Sequence, residues 1–115
     1  VLHAAVRATG GAPGPAGDFV GHIGGDDFIL ATDAARAEPL AQACVQRFRA
    51  CIEAQVGPEV ARRGHFAGPD RSGTLREFPL ATLTAVVLHV EPRRWRSVID
   101  LGARAADAKR RAKAI

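Results

Sequence analysis

The sequence predicts an α+β domain, because hairpin patterns, helical patterns and one strongly apolar run alternate along its 115 residues. Two pairs of short β-prone runs flank glycine-containing turns, at 18–32 and at 64–80. The stretch ATLTAVVLHV at 81–90 is apolar nearly throughout, which is typical of a strand covered on both faces. We therefore expect a mixed sheet with antiparallel hairpins and helices packed on it.

The chain opens with residues 1–8, which have the pattern of the end of a helix, and continues with a Gly/Pro loop at 10–17. Two β-prone runs follow, at 18–23 and 28–32, and Gly24-Gly25 between them predicts the turn of the first hairpin.

The main helix is expected from about Glu38 to Gly57, because Pro39 is tolerated only in the first turn of a helix. Its apolar residues recur at every fourth position: Leu40, Cys44, Phe48 and Ile52. Cys44 and Cys51 would lie about 10 Å apart along this helix, too far for a disulfide. They are interpreted as small core residues of a reducing compartment, so we expect a cytoplasmic protein.

The second half is predicted as a hairpin around 69–73, the strand 81–90 and a final helix. Ser97 and Asp100 have the spacing of a capping box for that helix. The residues expected to face inward are Val98, Leu101, Ala105, Ala108 and Ala112.

The net charge of +4 comes mostly from arginine, and acids are interspersed among the basic residues. This favours solvated helix faces, or phosphate binding at a few positions, over a nucleic-acid surface, because aromatic residues for base stacking make up only 5% of the chain. No apolar run approaches the roughly 20 residues that a membrane span needs. The four histidines stand singly, which argues against a histidine metal site.

The first hairpin turn carries two adjacent carboxylates, Asp26 and Asp27, after its two glycines. A turn needs glycine for a positive φ, but it does not need two acids side by side. One interpretation is an exposed turn with solvating acids; the other is a binding site that uses both carboxylates.

The residues GGDDF at 24–28, preceded by DFVGHI, closely resemble the signature of the GGDEF domain, the diguanylate cyclase family that condenses two GTP into cyclic di-GMP and pyrophosphate. The helix after the hairpin, the strand ATLTAVV and the segment AADAKRRAK at 105–113 resemble the family pattern in the same order. The resemblance makes residues 1–115 the C-terminal two-thirds of a GGDEF domain cut from a longer protein, with the first strand and part of the early helices missing. It implies a nucleotidyl-cyclase or palm-like (ferredoxin-like) fold, here a partial domain.

The resemblance also implies roles for individual residues. Gly24 and Gly25 would lie near phosphate and base, and Asp26 would be a metal ligand. Asp27 would be a metal ligand in the place of the catalytic Glu, and Lys113 would reach the distal phosphates. The alternative for Lys113 is a solvated lysine that complements the helix dipole. Mg²⁺ is the implied cofactor, because phosphate charge is offset by divalent ions on carboxylate oxygens. GTP, a homodimer and additional signalling domains of the full-length protein are the implied partners.

Several positions depart from the family pattern. The usual Glu is Asp27, the Arg of the product-inhibition motif that ends at Asp18 is Pro15, and a strand glycine is replaced by Val86. Further departures in the last segment are Ala106, Lys109 and Arg110. We therefore expect a cyclic di-GMP signalling domain of low or no activity. The alternatives are a degenerate GTP-binding or dimerising regulatory module and, more remotely, a basic nucleic-acid-binding domain.

Overall fold

The computed structural model describes residues 1–12, 17–91 and 97–114. In these ranges the chain is mixed α+β, with four helices and two separate two-stranded antiparallel sheets. In chain order the elements are α1 (Leu2–Ala8), β1 (Phe19–Gly24), β2 (Asp27–Ala31), α2 (Ala34–Val56), α3 (Pro58–Arg63), β3 (His65–Pro69), β4 (Leu75–Pro79) and α4 (Val98–Lys113).

The core lies where α1 packs against the first half of α2. Its buried side chains are Ala5 and Val6 of α1 with Leu40 and Cys44 of α2. Partly buried neighbours surround them: Leu2, Val20, Leu30, Ala43 and Leu83. The prediction that both cysteines are core residues is correct for Cys44 and wrong for Cys51, which is exposed because it lies beyond the part of α2 that α1 covers.

The main helix begins earlier than predicted. It starts at Ala34 and contains Pro39, whereas the sequence analysis placed its start near Glu38. Asp33, at the N-cap, has an extended backbone, and its carbonyl accepts the first helical hydrogen bond, from Arg36 N at 2.9 Å. Proline removes one backbone donor at position 39. The helix continues through it because the next residue, Leu40, is buried in the core.

Both predicted hairpins are confirmed. In the first, β1 pairs with β2 from Phe19 opposite Ala31 up to the turn. In the second, β3 pairs with β4, and Asp70 organises the turn: its Oδ1 accepts hydrogen bonds from the backbone N–H groups of Ser72 and Thr74, each at 2.9 Å.

The prediction of a central strand at 81–90, and with it of one mixed sheet, is wrong for this structure. Residues 81–90 lie outside both sheets, and Val86, Val87 and Val90 are 36–48% exposed. Apolar, β-branched residues favour an extended backbone, but a strand forms only where another strand supplies its hydrogen bonds. Of residues 81–90, Leu83 alone packs against the core cluster.

Helix α4 begins as predicted. Ser97 is its N-cap, and its Oγ accepts a hydrogen bond from the backbone N–H of Asp100 at 3.1 Å. Leu101, Ala105, Ala108 and Ala112 are partly buried, whereas Arg110 and Arg111 are exposed. Val98, also predicted to face inward, has a side chain outside the described residues.

The fold is extended rather than tightly packed. Its radius of gyration is 16.9 Å, and its principal extents are 52 × 30 × 22 Å. A compact domain of this length would have a radius of gyration of about 13 Å. Among the described residues, no helix combines the length and apolar character that crossing a bilayer requires.

We predict that Leu40→Ala lowers the free energy of unfolding by about 2–4 kcal/mol, because Leu40 is 3% exposed in a core of few residues and leaves a cavity when truncated. Chemical denaturation measures this value. Val45→Ala is the control on the same helix, since Val45 is 37% exposed and should cost less than about 1 kcal/mol. Equal losses in the two variants would contradict the position of the core.

Candidate functional site: the 24–27 hairpin tip

The first hairpin ends in a tight, solvent-facing turn. Gly24 pairs with Asp27, so Gly25 and Asp26 are the two turn residues. Gly24 has φ +149° and Gly25 has φ +57°, conformations that favour glycine. A positive φ at the first turn residue alone is the pattern of a type II′ turn. A side-chain carbon at either glycine would meet nothing within 4 Å, so the backbone of the tip is open to solvent.

His22 braces this turn from β1. Its ring stacks on that of Phe28, with ring centroids 4.5 Å apart and an angle of 13° between the planes. Its Nε2 lies 2.8 Å from the carbonyl oxygen of Gly25. Because a carbonyl only accepts, this hydrogen bond requires His22 to carry a proton on Nε2. Sequence analysis did not select His22 as part of the site.

The two carboxylates of the tip differ in their surroundings. Asp26 is exposed on the turn. Asp27 is partly buried, and its Oδ1 accepts a hydrogen bond from Lys109 Nζ of α4 at 2.7 Å, across 82 residues of chain. This hydrogen bond, together with the charges of Lys109 and Lys113, lowers the pKa of Asp27 below its ordinary value of 3.8 despite partial desolvation.

The structure thus brings four of the five predicted site residues together in one turn and places the fifth, Lys113, on the helix that meets this turn. Lys113 is exposed in the last turn of α4, and its positive charge contributes to lowering the pKa of Asp27. Lys109, which sequence analysis treated as a departure from the family pattern, makes the direct contact. The signal that could have found it is its spacing: Lys109 and Lys113 are four residues apart and share a helix face.

A second polar cluster lies at the base of the hairpin. Asp18 is 4% exposed, accepts a hydrogen bond from Thr32 Oγ1 at 2.7 Å, and has its Oδ2 2.7 Å from Arg36 Nη1. The hydrogen bond from Thr32, helped by Arg36, lowers the pKa of Asp18 despite its burial. An open cavity of about 350 Å³ adjoins the cluster and is lined by Ala12, Gly17, Asp18, Ala31, Thr32, Asp33 and Arg36.

The environment of Asp18 also bears on the product-inhibition motif. Asp18, the last residue of that motif, is the buried partner of Arg36 in the structure. Pro15, which replaces the motif's arginine, lies outside the described residues.

The tip in this arrangement does not fit the implied Mg²⁺. Divalent ions of this kind need several oxygen ligands, and the carboxylate of Asp27 already holds an ammonium group at 2.7 Å. Among residues 1–12, 17–91 and 97–114, no three side chains of the Asp, Glu, His or Cys type come together in a potential metal site.

Comparisons of this chain with protein-family models, with curated proteins and with solved structures found no match.

We predict that Asp18→Asn lowers the melting temperature at pH 7 and that its difference from the wild type shrinks as the pH falls below 3.8, the ordinary pKa of an aspartate. The folded state lowers the pKa of Asp18, so the ionised carboxylate stabilises the fold above the unfolded-state pKa. That stabilisation is lost as the pH falls through the folded-state pKa. Thermal unfolding followed by circular dichroism across this range measures the effect. Asp26→Asn is the control, because Asp26 is exposed and its substitution should change the melting temperature little. Equal melting temperatures for Asp18→Asn and the wild type at pH 7 would refute the prediction.

Two glycine-to-alanine substitutions should have opposite effects on the free energy of unfolding. Gly25→Ala should lower it by about 1–2 kcal/mol, because alanine is strained at φ +57°. Gly102→Ala should raise it by up to about 1 kcal/mol, because Gly102 lies inside α4 with open space around a new methyl group. Denaturant titration of both variants provides the measurement, and a stabilising Gly25→Ala would show that the turn is not formed as described.

Proposed function

We propose that this chain is a GGDEF-type domain of cyclic di-GMP signalling that binds a guanine nucleotide at the 24–27 tip and has low or no cyclase activity. One observation carries the proposal: Lys109 of α4 contacts Asp27 of the GGDDF turn, 82 residues away in sequence. The resemblance implies that Lys113 lies near the turn, and the contact of Lys109, one helical turn earlier, brings that lysine-bearing end of α4 to the turn.

The chemistry of the tip suits phosphate groups. Glycine backbone lets N–H groups approach an anion without interference from a Cβ atom, and Gly24 and Gly25 are open to solvent on that side. Lys109 and Lys113 supply cationic donors that can contact phosphate oxygens.

Two features argue for weak or absent turnover. Asp27 is one methylene shorter than the family's Glu, and a misplacement of about 1 Å can cost on the order of 100-fold in rate. Its carboxylate is also paired with Lys109, which competes with a substrate or metal ion for that oxygen.

The second candidate is a non-catalytic GTP-binding or dimerising regulatory module. Exposed apolar side chains on the first hairpin favour a partner surface of this kind: Phe19, Ile23, Phe28 and Ile29 are 46–70% exposed. A nucleic-acid surface is less well supported, because several arginines pair with acids rather than forming an open basic face. These pairs are Arg49–Glu53, Arg76–Asp70, Arg110–Asp107 and Arg111–Asp107. The cytoplasmic location remains a prediction from the free cysteines.

The proposal is tested by nuclear magnetic resonance titration of the chain with GTP. We expect shifts of the backbone amide signals of Gly24 and Gly25, and an affinity reduced by about fivefold in Lys113→Met, which removes one charge near the phosphates. Arg63→Met is the matched control, because it removes a positive charge from the end of α3, outside the tip. Unchanged signals at millimolar GTP would overturn nucleotide binding at the tip.

Turnover is measured separately by incubation with GTP and Mg²⁺ and chromatographic detection of cyclic di-GMP. We expect no measurable product from this chain, and weak or absent synthesis from the full-length parent. In that parent, Asp27→Glu should raise the rate if the upstream residues of the site are intact. Robust synthesis by the unmodified parent, lost in Asp26→Ala, would instead establish an active cyclase.

A further inference from the structure

Helix α4 contacts the hairpin tip through the ion pair between Lys109 Nζ and Asp27 Oδ1 at 2.7 Å. We propose that Lys109 is a built-in counter-ion of the tip, which occupies the Asp27 carboxylate and excludes divalent cations from it. The inference deepens the proposed function and rests on it in taking the tip as the ligand site.

The geometry directs the lysine to one carboxylate only. Asp27 is the strand residue that closes the turn, and its partly buried side chain meets α4. Asp26 lies on the turn and is exposed. A metal ion shared by the two carboxylates would therefore have to displace the ammonium group of Lys109 or bind the other Asp27 oxygen directly beside it.

The two lysines of α4 offset the two carboxylates of the tip. Asp26 and Asp27 contribute two negative charges, and Lys109 and Lys113 contribute two positive charges nearby. A divalent cation added to this group meets no net attraction, and it is repelled by an ammonium group a few ångströms away. The described residues also supply no third ligand of the Asp, Glu, His or Cys type that would offset the loss of the ion pair.

The ion pair is exchangeable rather than locked in the protein interior. The Lys109 side chain is 36% exposed and that of Asp27 is 40% exposed. An anionic ligand can thus reach Lys109 from solvent and compete with Asp27 for it. The tip would then receive phosphate groups on its lysines directly, without a metal ion between protein and phosphate.

The test uses Mn²⁺ alone, with no nucleotide, so that its result is independent of GTP binding. Mn²⁺ is titrated into the wild type, Lys109→Met, Lys113→Met and the double variant Lys109→Met/Asp27→Asn. Electron paramagnetic resonance measures free Mn²⁺, and paramagnetic broadening of the amide signals of residues 24–28 locates the bound ion. Lys109→Gln is made in parallel, so that a folding defect of one substitution, checked by circular dichroism, does not decide the outcome.

We expect the wild type to show no broadening at the tip at submillimolar Mn²⁺ and Lys109→Met to bind Mn²⁺ at least about tenfold more tightly, because one neighbouring positive charge is gone. Lys113→Met should gain less, since the direct contact to Asp27 remains, and the double variant should lose the gain. The proposal is overturned if the wild type binds Mn²⁺ at the tip as tightly as Lys109→Met. It is equally overturned if the folded Lys109 variants gain no affinity, or if the gain persists without the Asp27 carboxylate.

Discussion

The position of the first hairpin against the helices depends on the guanidinium of Arg36, which joins three segments of the chain. From the first turn of α2 it donates to the carbonyl oxygen of Thr9 at 3.1 Å and lies 3.4 Å from that of Val6. These are carbonyls at the end of α1, where a helix leaves acceptors without helical partners. The same group pairs with Asp18, the residue before β1. Gly11 makes this approach sterically feasible, because a side-chain carbon there would collide with both Arg36 and Asp18.

This polar cluster matters because the apolar core is small. Only Ala5, Val6, Leu40 and Cys44 form the buried cluster of the described residues, and hydrophobic contact is not directional. A buried carboxylate with a fixed hydrogen-bond donor, as in the pair of Thr32 and Asp18, tolerates few arrangements of its neighbours. The hydrophobic contacts therefore hold α1 on α2, whereas the Arg36 cluster selects the orientation in which the hairpin leaves them.

Local patterns in the sequence predicted both hairpins and the final helix, whereas the start of α2 at Ala34 was a local error. Long-range pairing accounts for the remaining errors discussed here. Both hairpins and the Ser97 cap of α4 depend on residues within a few positions of each other, and all three were predicted. The segment 81–90 has the composition of a strand, but whether it becomes one depends on a partner elsewhere in the chain. The cluster of Asp18 with Arg36 was missed for the same reason. At the site, the turn geometry followed from Gly24 and Gly25, but the choice of Lys109 over Lys113 as the partner of Asp27 depends on how α4 meets the hairpin.

The adjacent acids of the turn have separate physical consequences. Asp26 remains in solvent, whereas Asp27 links the hairpin to α4. No α4 side chain belongs to the core cluster in the part of the chain that the structure describes, and the exposed ion pair of Lys109 with Asp27 joins α4 to the hairpin. Exposed ion pairs contribute little to stability, because solvent screens the charges. If a phosphate group competes for Lys109, as proposed above, it would therefore release Asp27 with little loss of stability. Under the proposed function, the shorter side chain of aspartate and the lysine one turn before Lys113 act in the same direction: both work against the organisation of metal and substrate for a reaction.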